Sequence, residues 1–232
     1  MTLTKMIAHR GASVLAPENT LPAYEIAAKY GYFGGECDIH ETKDKKFVLM
    51  HDETVDRMTR GIGFIGNFTL EELKNLPIVN GAAYKKFPNL KIPTLEEYLE
   101  VCQKHSLTPV IEIKKISKKS IERFLSIINQ WFKSDEVIII SFNEESLKEV
   151  RKLDEKVQLQ WLAWLTEKNI DFCATYKMDI DTKYTHVTKK LVSYAHKSKV
   201  RVNVWTVNDE DLLKALIHMK VDFVTTDHLI YH

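Results

Sequence analysis

Short runs of β-branched and other apolar residues alternate with amphipathic stretches of helical spacing along almost the whole chain. The runs predict strands at 6–9, 35–40, 47–51, 109–114, 136–142, 158–163, 178–181, 201–207 and 222–226. Several helix starts are marked by side chains able to cap free backbone N–H groups. Thr94-Leu95-Glu96-Glu97 has the form of a capping box, and Asn143 and Asn208 are candidate N-caps. Pro17-Glu18-Asn19-Thr20 reads as another helix start, with Asn19 as the cap and Pro22 tolerated in the first turn.

Strand–helix alternation of this kind predicts a parallel sheet. Treating 47–51 as a hairpin return of the second strand leaves eight strands, the number in a closed (β/α)8 barrel. An open dinucleotide-binding sheet would need several glycines at the first strand-to-helix turn, where His9-Arg10-Gly11-Ala12-Ser13-Val14 offers one. The expected fold is therefore α/β, a TIM barrel with a small insertion after the second strand. That insertion is the stretch 53–93, which holds Gly61, Gly63, Gly66, Pro77, Asn80-Gly81 and Pro88 around one helix signal at Thr69-Leu70-Glu71-Glu72-Leu73. In a barrel, an insertion following a strand emerges at the catalytic face. A length of 232 residues suits one core, so 1–232 is read as a single domain.

Composition narrows the partners. Lys and Arg total 33 against 32 Asp and Glu, a formal charge of +1, which argues against a polybasic nucleic-acid binder. The run Lys114-Lys115-Ile116-Ser117-Lys118-Lys119 is accordingly read as a solvated loop and helix start. Cys37, Cys102 and Cys173 lie far apart, so neither a disulfide framework nor a cysteine metal cluster is indicated, and a reducing compartment fits. His9-Arg10 interrupts the N-terminus before an apolar signal region could form, and no run reaches the ~18 apolar residues of a membrane span. These features lead to the expectation of a cytoplasmic protein without stable membrane insertion.

The informative residues are the charged ones near the C-terminal ends of predicted strands, where barrel enzymes build their sites. The first strand ends in His9-Arg10, the hairpin return in His51-Asp52, and the last at Asp227. In Glu36-Cys37-Asp38, alternation puts both carboxylates on one face with Cα atoms ~6.6 Å apart, a span two acids can close around one hard cation. Glu112 and Lys114 obey the same alternation one strand over, so three acids face one mouth. Left unpaired they would raise one another's pKa values, and one Mg²⁺ or Ca²⁺ ion would keep them ionised. His9 and His51 suit proton transfer near neutral pH. With Arg10 and Lys114 included, three acids, a divalent ion and two bases leave one positive charge, which matches a phosphodiester anion better than a neutral sugar.

The succession His9-Arg10, Glu36-x-Asp38 and His51-Asp52 resembles the glycerophosphodiester phosphodiesterase family of bacterial cytosolic type. So do Pro17-Glu18-Asn19-Thr20, Thr42-Lys43-Asp44, Arg57-x-Thr59-x-Gly61-x-Gly63, Ile92-Pro93-Thr94-Leu95, Glu112-x-Lys114, Trp205-Thr206-Val207-Asn208 and Thr225-Thr226-Asp227. The resemblance runs from about residue 7 to residue 227. It implies a barrel that hydrolyses glycerophosphodiesters to sn-glycerol 3-phosphate and an alcohol with one divalent cation. It also implies Glu36, Asp38 and Glu112 as metal ligands, His9 and His51 as the acid/base pair, and Arg10 and Lys114 as phosphate-binding groups. Trp205 and Phe142 would line the glycerol pocket, and the insertion would be the family's small cap.

The chain departs from the family pattern where glycine is customary: Asp44-Lys45-Lys46 at the hairpin, Ser198-Lys199 before the seventh strand, and Lys220 before the eighth. His40 shares the alternation of Glu36 and Asp38 but is expected in a solvated loop. Asp52 and Asp227 are expected to orient neighbours, Trp161 and Trp164 to pack, and the remaining six histidines to lie at the surface. The chain ends at His232, too soon for a full eighth helix, so a thin last face or a homo-oligomer is expected. Lysophospholipase D or sphingomyelinase D-like action on lipids is the alternative activity, and a non-catalytic binding barrel the alternative of another class.

Overall fold

The computed structural model describes residues 4–227. Nine strands occur in them: β1 (Lys5–Ala8), β2 (Gly34–Glu41), β3 (Phe47–Leu49), β4 (Thr108–Lys115), β5 (Ile138–Ser141), β6 (Gln158–Leu162), β7 (Asp179–Lys183), β8 (Val202–Trp205) and β9 (Phe223–Thr226). Eight run parallel in the order β1-β9-β8-β7-β6-β5-β4-β2, and the β1–β2 pairing closes the ring, while β3 hangs antiparallel on β2. The architecture is the expected TIM barrel.

The helices are α1 (Leu21–Lys29), α2 (Leu70–Lys74), α3 (Leu95–His105), α4 (Ile121–Trp131), α5 (Glu144–Leu153), α6 (Glu167–Thr175), α7 (Lys189–Lys197) and α8 (Glu210–His218). α2 lies within the insertion, and each of the other seven connects one barrel strand to the next. Both capping boxes form, with Thr94 accepting from Glu97 N–H on α3 and Thr69 from Glu72 N–H on α2. Asn143 caps α5 by accepting from Ser146 N–H.

Two other expected caps are placed differently. Thr20, not Asn19, occupies the cap position of α1, and Asp209, not Asn208, caps α8. Both asparagines instead serve the mouth of the barrel. The strand expected at 136–142 starts at Ile138, because Ser134–Glu136 folds into a 3₁₀ turn closed by Glu136 on the Lys133 N–H.

Strand alternation separates two cores. Cys37, Ile39, Ile111, Ile113 and Ile139 pack outward against the helices, while Ile7, Val110, Ile138, Ile140, Leu162 and Phe223 fill the barrel interior. The insertion has a third core of its own, in which Val55, Met58, Ile65, Leu73 and Ile78 gather against Val48 and Met50. The insertion thus has buried apolar packing separate from that of the barrel.

Lys45, Lys199 and Lys220, the positions lacking customary glycine, all adopt left-handed backbone, with φ of 65°, 60° and 66°. A Cβ in that conformation costs roughly 1–2 kcal/mol, so each turn is formed at a small loss of stability. Gly11 shows the opposite case. Its φ is 78°, and a Cβ there would sit 2.7 Å from the Ala23 side chain. The face after β9, along with His228 and His232, lies outside the described residues, as does any cover for it.

Candidate functional site

At the C-terminal end of the barrel, β2 and β4 bring Glu36, Asp38 and Glu112 together. Asp38 and Glu112 are direct neighbours in the register of the two strands. One carboxylate oxygen from each of the three lies within 4.8 Å of the others, and all three residues are buried. Among the described residues this is the one group of three acids, histidines or cysteines so arranged.

The three acids differ in their support. Asp38 is held from both sides: Asn19 Nδ2 donates to Oδ2 at 2.8 Å, Asn19 Oδ1 accepts from the Asp38 N–H at 3.1 Å, and Tyr24 fixes that same Oδ1. Arg10 Nε stands 3.5 Å from Oδ2 and Lys114 Nζ 3.6 Å from Oδ1. Burial would raise the Asp38 pKa, but the two cations outweigh it and hold the carboxyl below its ordinary value. Glu36 accepts only a single backbone N–H, from Arg10 at 2.9 Å, and burial together with the charges of Asp38 and Glu112 pushes it well up. Glu112, 3.1 Å from Lys114 Nζ, is pushed up to about 7 by burial and then by Asp38.

Three hard oxygen donors, two of them resisting ionisation in each other's company, are a donor set that fits a divalent cation such as Mg²⁺ or Ca²⁺. An ion would supply the positive charge that the protein's own groups give fully only to Asp38.

Each histidine at the mouth is tied by its Nδ1 to a carboxylate. His9 Nδ1 lies 2.7 Å from Asp227 Oδ1, and His51 Nδ1 lies 2.8 Å from Asp52 Oδ1. Asp227 is oriented in turn by Asn208, which donates to its Oδ2 at 2.8 Å and accepts its N–H at 3.0 Å. Burial opposes ionisation of Asp227, but the bond to His9 outweighs it and sets the carboxyl at about 2. Asp52 is also held at about 2, first by hydrogen bonds from Arg57 and then by His51. Arg57, from the cap, grips Asp52 with Nε at 2.7 Å and Glu18 with Nη2 at 2.7 Å, and Glu18 pairs with Arg10 at 3.1 Å. One chain of charges thus links the insertion to Arg10 and to His51.

A cavity of about 210 Å³ opens between these groups, lined by His9, Arg10, Glu36, His51, Glu112, Lys114, Phe142 and Trp205, with Ile140, Leu162, Asp181, Thr206 and Thr225 completing the wall. Phe142 and Trp205 meet edge to face with ring centroids 6.0 Å apart. Eight of the nine residues singled out from sequence line this cavity, and the ninth, Asp38, is 1% exposed and grouped with Glu36 and Glu112.

His40 is not in a solvated loop: it lies within β2, 2% exposed, with Nε2 3.4 Å from the His51 carbonyl. The strand continues past the acids, so the same alternation that faces them inward also buries His40. Arg57, Asn19 and Asn208 enter the site network although nothing in their spacing marks them for it. Asp181 was detectable, since Asp179-Ile180-Asp181 on β7 repeats the acid-x-acid alternation of β2.

Residues 9–230 match the family model described as the glycerophosphoryl diester phosphodiesterase family. The chain is 35% identical over 230 residues to the glycerophosphodiester phosphodiesterase of Caldanaerobacter subterraneus subsp. tengcongensis, covering 97% of this chain and 94% of that one. It is 34% identical over 240 residues to the enzyme of the same name from Bacillus altitudinis, covering 97% and 95%. Among solved structures, an Oleispira antarctica phosphodiesterase in complex with the product sn-glycerol-3-phosphate superposes with a TM-score of 0.90 at 26% identity, covering 98% of this chain and 94% of that one. Sequence kinship over nearly the full length, the same barrel and the acid-lined mouth lead to one conclusion: the chain belongs to the glycerophosphoryl diester phosphodiesterase family and is an enzyme that hydrolyses glycerophosphodiesters.

Proposed function

We propose that the enzyme cleaves small glycerophosphodiesters to sn-glycerol 3-phosphate and a free alcohol, with His9 and His51 as the acid/base pair. The single observation that carries this reading is the pair of carboxylate-bound histidines flanking a cavity that is also lined by Glu36 and Glu112 of the acid triad. Glu36, Asp38 and Glu112 would hold one Mg²⁺ or Ca²⁺ ion, which when bound polarises phosphoryl oxygens and offsets negative charge in the transition state.

Arg10 and Lys114 flank the triad and supply fixed positive charge for the two non-bridging phosphate oxygens. Phe142, Trp205 and Ile140 form the apolar wall against which the glycerol carbons rest. One histidine takes the proton of the glycerol 2-hydroxyl as its oxygen attacks phosphorus. The other gives a proton to the departing alkoxide, leaving a cyclic 1,2-phosphate. Water then opens the ring with the two roles reversed, restoring both histidines. Asp227 and Asp52 hold the Nδ1 protons, so that the Nε2 atoms are the ones that exchange protons with the substrate.

The test is a coupled assay for glycerol 3-phosphate released from glycerophosphocholine and glycerophosphoethanolamine. His9→Ala and His51→Ala are each expected to lower kcat by ~10²–10⁴ with the far-ultraviolet circular dichroism unchanged, the usual worth of a general acid or base. Near-normal turnover in both variants refutes the assignment.

A further inference from the structure

The wall of the cavity opposite the acid triad holds a polar group that the reaction scheme above does not use. Asp181 lies on β7, diametrically across the ring from β2, in the company of Ile140, Leu162 and Trp205. It is 2% exposed, and among the described residues its Oδ1 is the one fully enclosed carboxylate oxygen with no hydrogen-bond partner. The Trp205 indole Nε1, lining the same cavity, is also enclosed and unpartnered. A lone buried acceptor and a lone buried donor each cost about 1–3 kcal/mol when left unsatisfied, so a fold that keeps both on one cavity wall leaves a place for a ligand hydroxyl. Burial, and then the charge of Glu112, pushes the Asp181 carboxyl well up.

Direction within the cavity follows from exposure. His9 and His51 keep 21% and 34% of their side chains exposed, so the leaving alcohol departs on their side, while Asp181, 2% exposed, lines the cavity from the buried wall across the ring. A phosphate gripped at the rim by Arg10 and Lys114 sends its glycerol carbons inward along Phe142 and Trp205, and the terminal hydroxyl is the last group to arrive.

We propose that Asp181, with the Trp205 indole N–H, recognises the free terminal hydroxyl of the glycerol half, and so restricts the enzyme to unacylated glycerophosphodiesters. This rests on the reading of the site given above and deepens it. An acyl chain on that hydroxyl would remove the hydrogen-bond donor that Asp181 accepts and would have to fit against the buried wall that Asp181 shares with Ile140 and Leu162. Lysophospholipids with a terminal acyl chain are therefore excluded as substrates.

The test compares kcat/KM for glycerophosphocholine with that for 2-hydroxypropyl phosphocholine, which keeps the attacking hydroxyl and lacks only the terminal one. The wild type is expected to prefer the glycerol compound by roughly 10- to 100-fold, and Asp181→Leu to reduce that preference to ~3-fold or less. Asp181→Asn, which keeps an acceptor and a donor in place, is expected to retain most of it. Asp181→Leu should melt no lower than the wild type, since it removes an unpartnered buried polar atom, and this separates a lost contact from a lost fold. A third substrate, 1-acyl-lysophosphatidylcholine, should be turned over at least ~100-fold less efficiently than glycerophosphocholine by the wild type. Equal losses on both small diesters in Asp181→Leu, an unchanged preference, or efficient lysolipid cleavage overturns the hydroxyl contact while leaving the phosphodiesterase reading in place. A wild type inert on glycerophosphocholine overturns both.

Discussion

The acid triad makes a quantitative prediction about protons. Glu112 in the metal-free protein is pushed from 4.5 to about 7, which at 1.36 kcal/mol per decade is roughly 3 kcal/mol favouring the protonated form. Burial is the larger cause and Asp38 the next. The size is physically reasonable, since two carboxylates at the outer separation of 4.8 Å repel by ~3.5 kcal/mol at an effective dielectric of ~20. At pH 6 the Glu112 carboxyl is therefore ~0.9 protonated and at pH 8 ~0.1. A divalent ion must displace that proton, so the number of protons released on binding should fall by ~0.8 between pH 6 and pH 8. Burial and the charges of Asp38 and Glu112 push Glu36 up as well.

The assay is isothermal titration of Mg²⁺ or Ca²⁺ in buffers of different ionisation enthalpy, with Glu112→Gln as the comparison in which the fall disappears. The same shift has a consequence for stability. A carboxyl raised in the fold stabilises below its unfolded pKa of ~4.3, and this stability is lost as pH rises through about 7. The melting temperature of the metal-free protein should drop across that window, and the gain on adding the ion should grow. Proton release that is absent, or that does not change between pH 6 and pH 8, would refute the reasoning.

Three further outcomes are expected. Asp227→Asn, which disturbs the Nδ1 partner of His9, should lower kcat by ~10²–10⁴ with KM little changed, measured in the coupled assay. Arg57→Met frees Asp52 from the bonds that hold it at about 2. A depressed carboxyl contributes stability above its unfolded pKa of ~3.9 and loses it as pH falls through the folded value, so acid unfolding followed by circular dichroism should begin at higher pH in the variant. Lys220→Gly relieves a left-handed lysine with φ 66°. It should raise Tm by roughly 1–3 °C in thermal melts, the backbone gain being partly offset by the greater freedom of glycine in the unfolded chain.

The barrel was legible because eight apolar runs alternate with amphipathic helices, and the triad because Glu36, Asp38 and Glu112 share one face by the two-residue repeat of a strand. Asparagine was the ambiguous signal. Asn143 caps a helix, whereas Asn19 and Asn208, in similar surroundings, hold the carboxylates of Asp38 and Asp227. The same amide that satisfies a helix N–H can satisfy a carboxylate, and only the three-dimensional neighbour decides which. Arg57 was hidden for a related reason, since its partners Glu18 and Asp52 come from either side of β2 in the sequence and meet it only in the folded chain. His40 was misplaced because β2 runs to Glu41, longer than its apolar residues suggested. Asp181 carried a readable alternation with Asp179, but a short polar strand does not announce the burial of its acids.

The central claim is that three acids at the barrel mouth hold a cation required for diester cleavage between His9 and His51. The most direct measurement is glycerol 3-phosphate release from glycerophosphocholine by chelator-treated enzyme, before and after returning Mg²⁺ or Ca²⁺. The account predicts a fall of at least ~10²-fold on chelation, full recovery with one of the two ions, and no recovery in Glu36→Gln. Turnover that chelation leaves undiminished would contradict it.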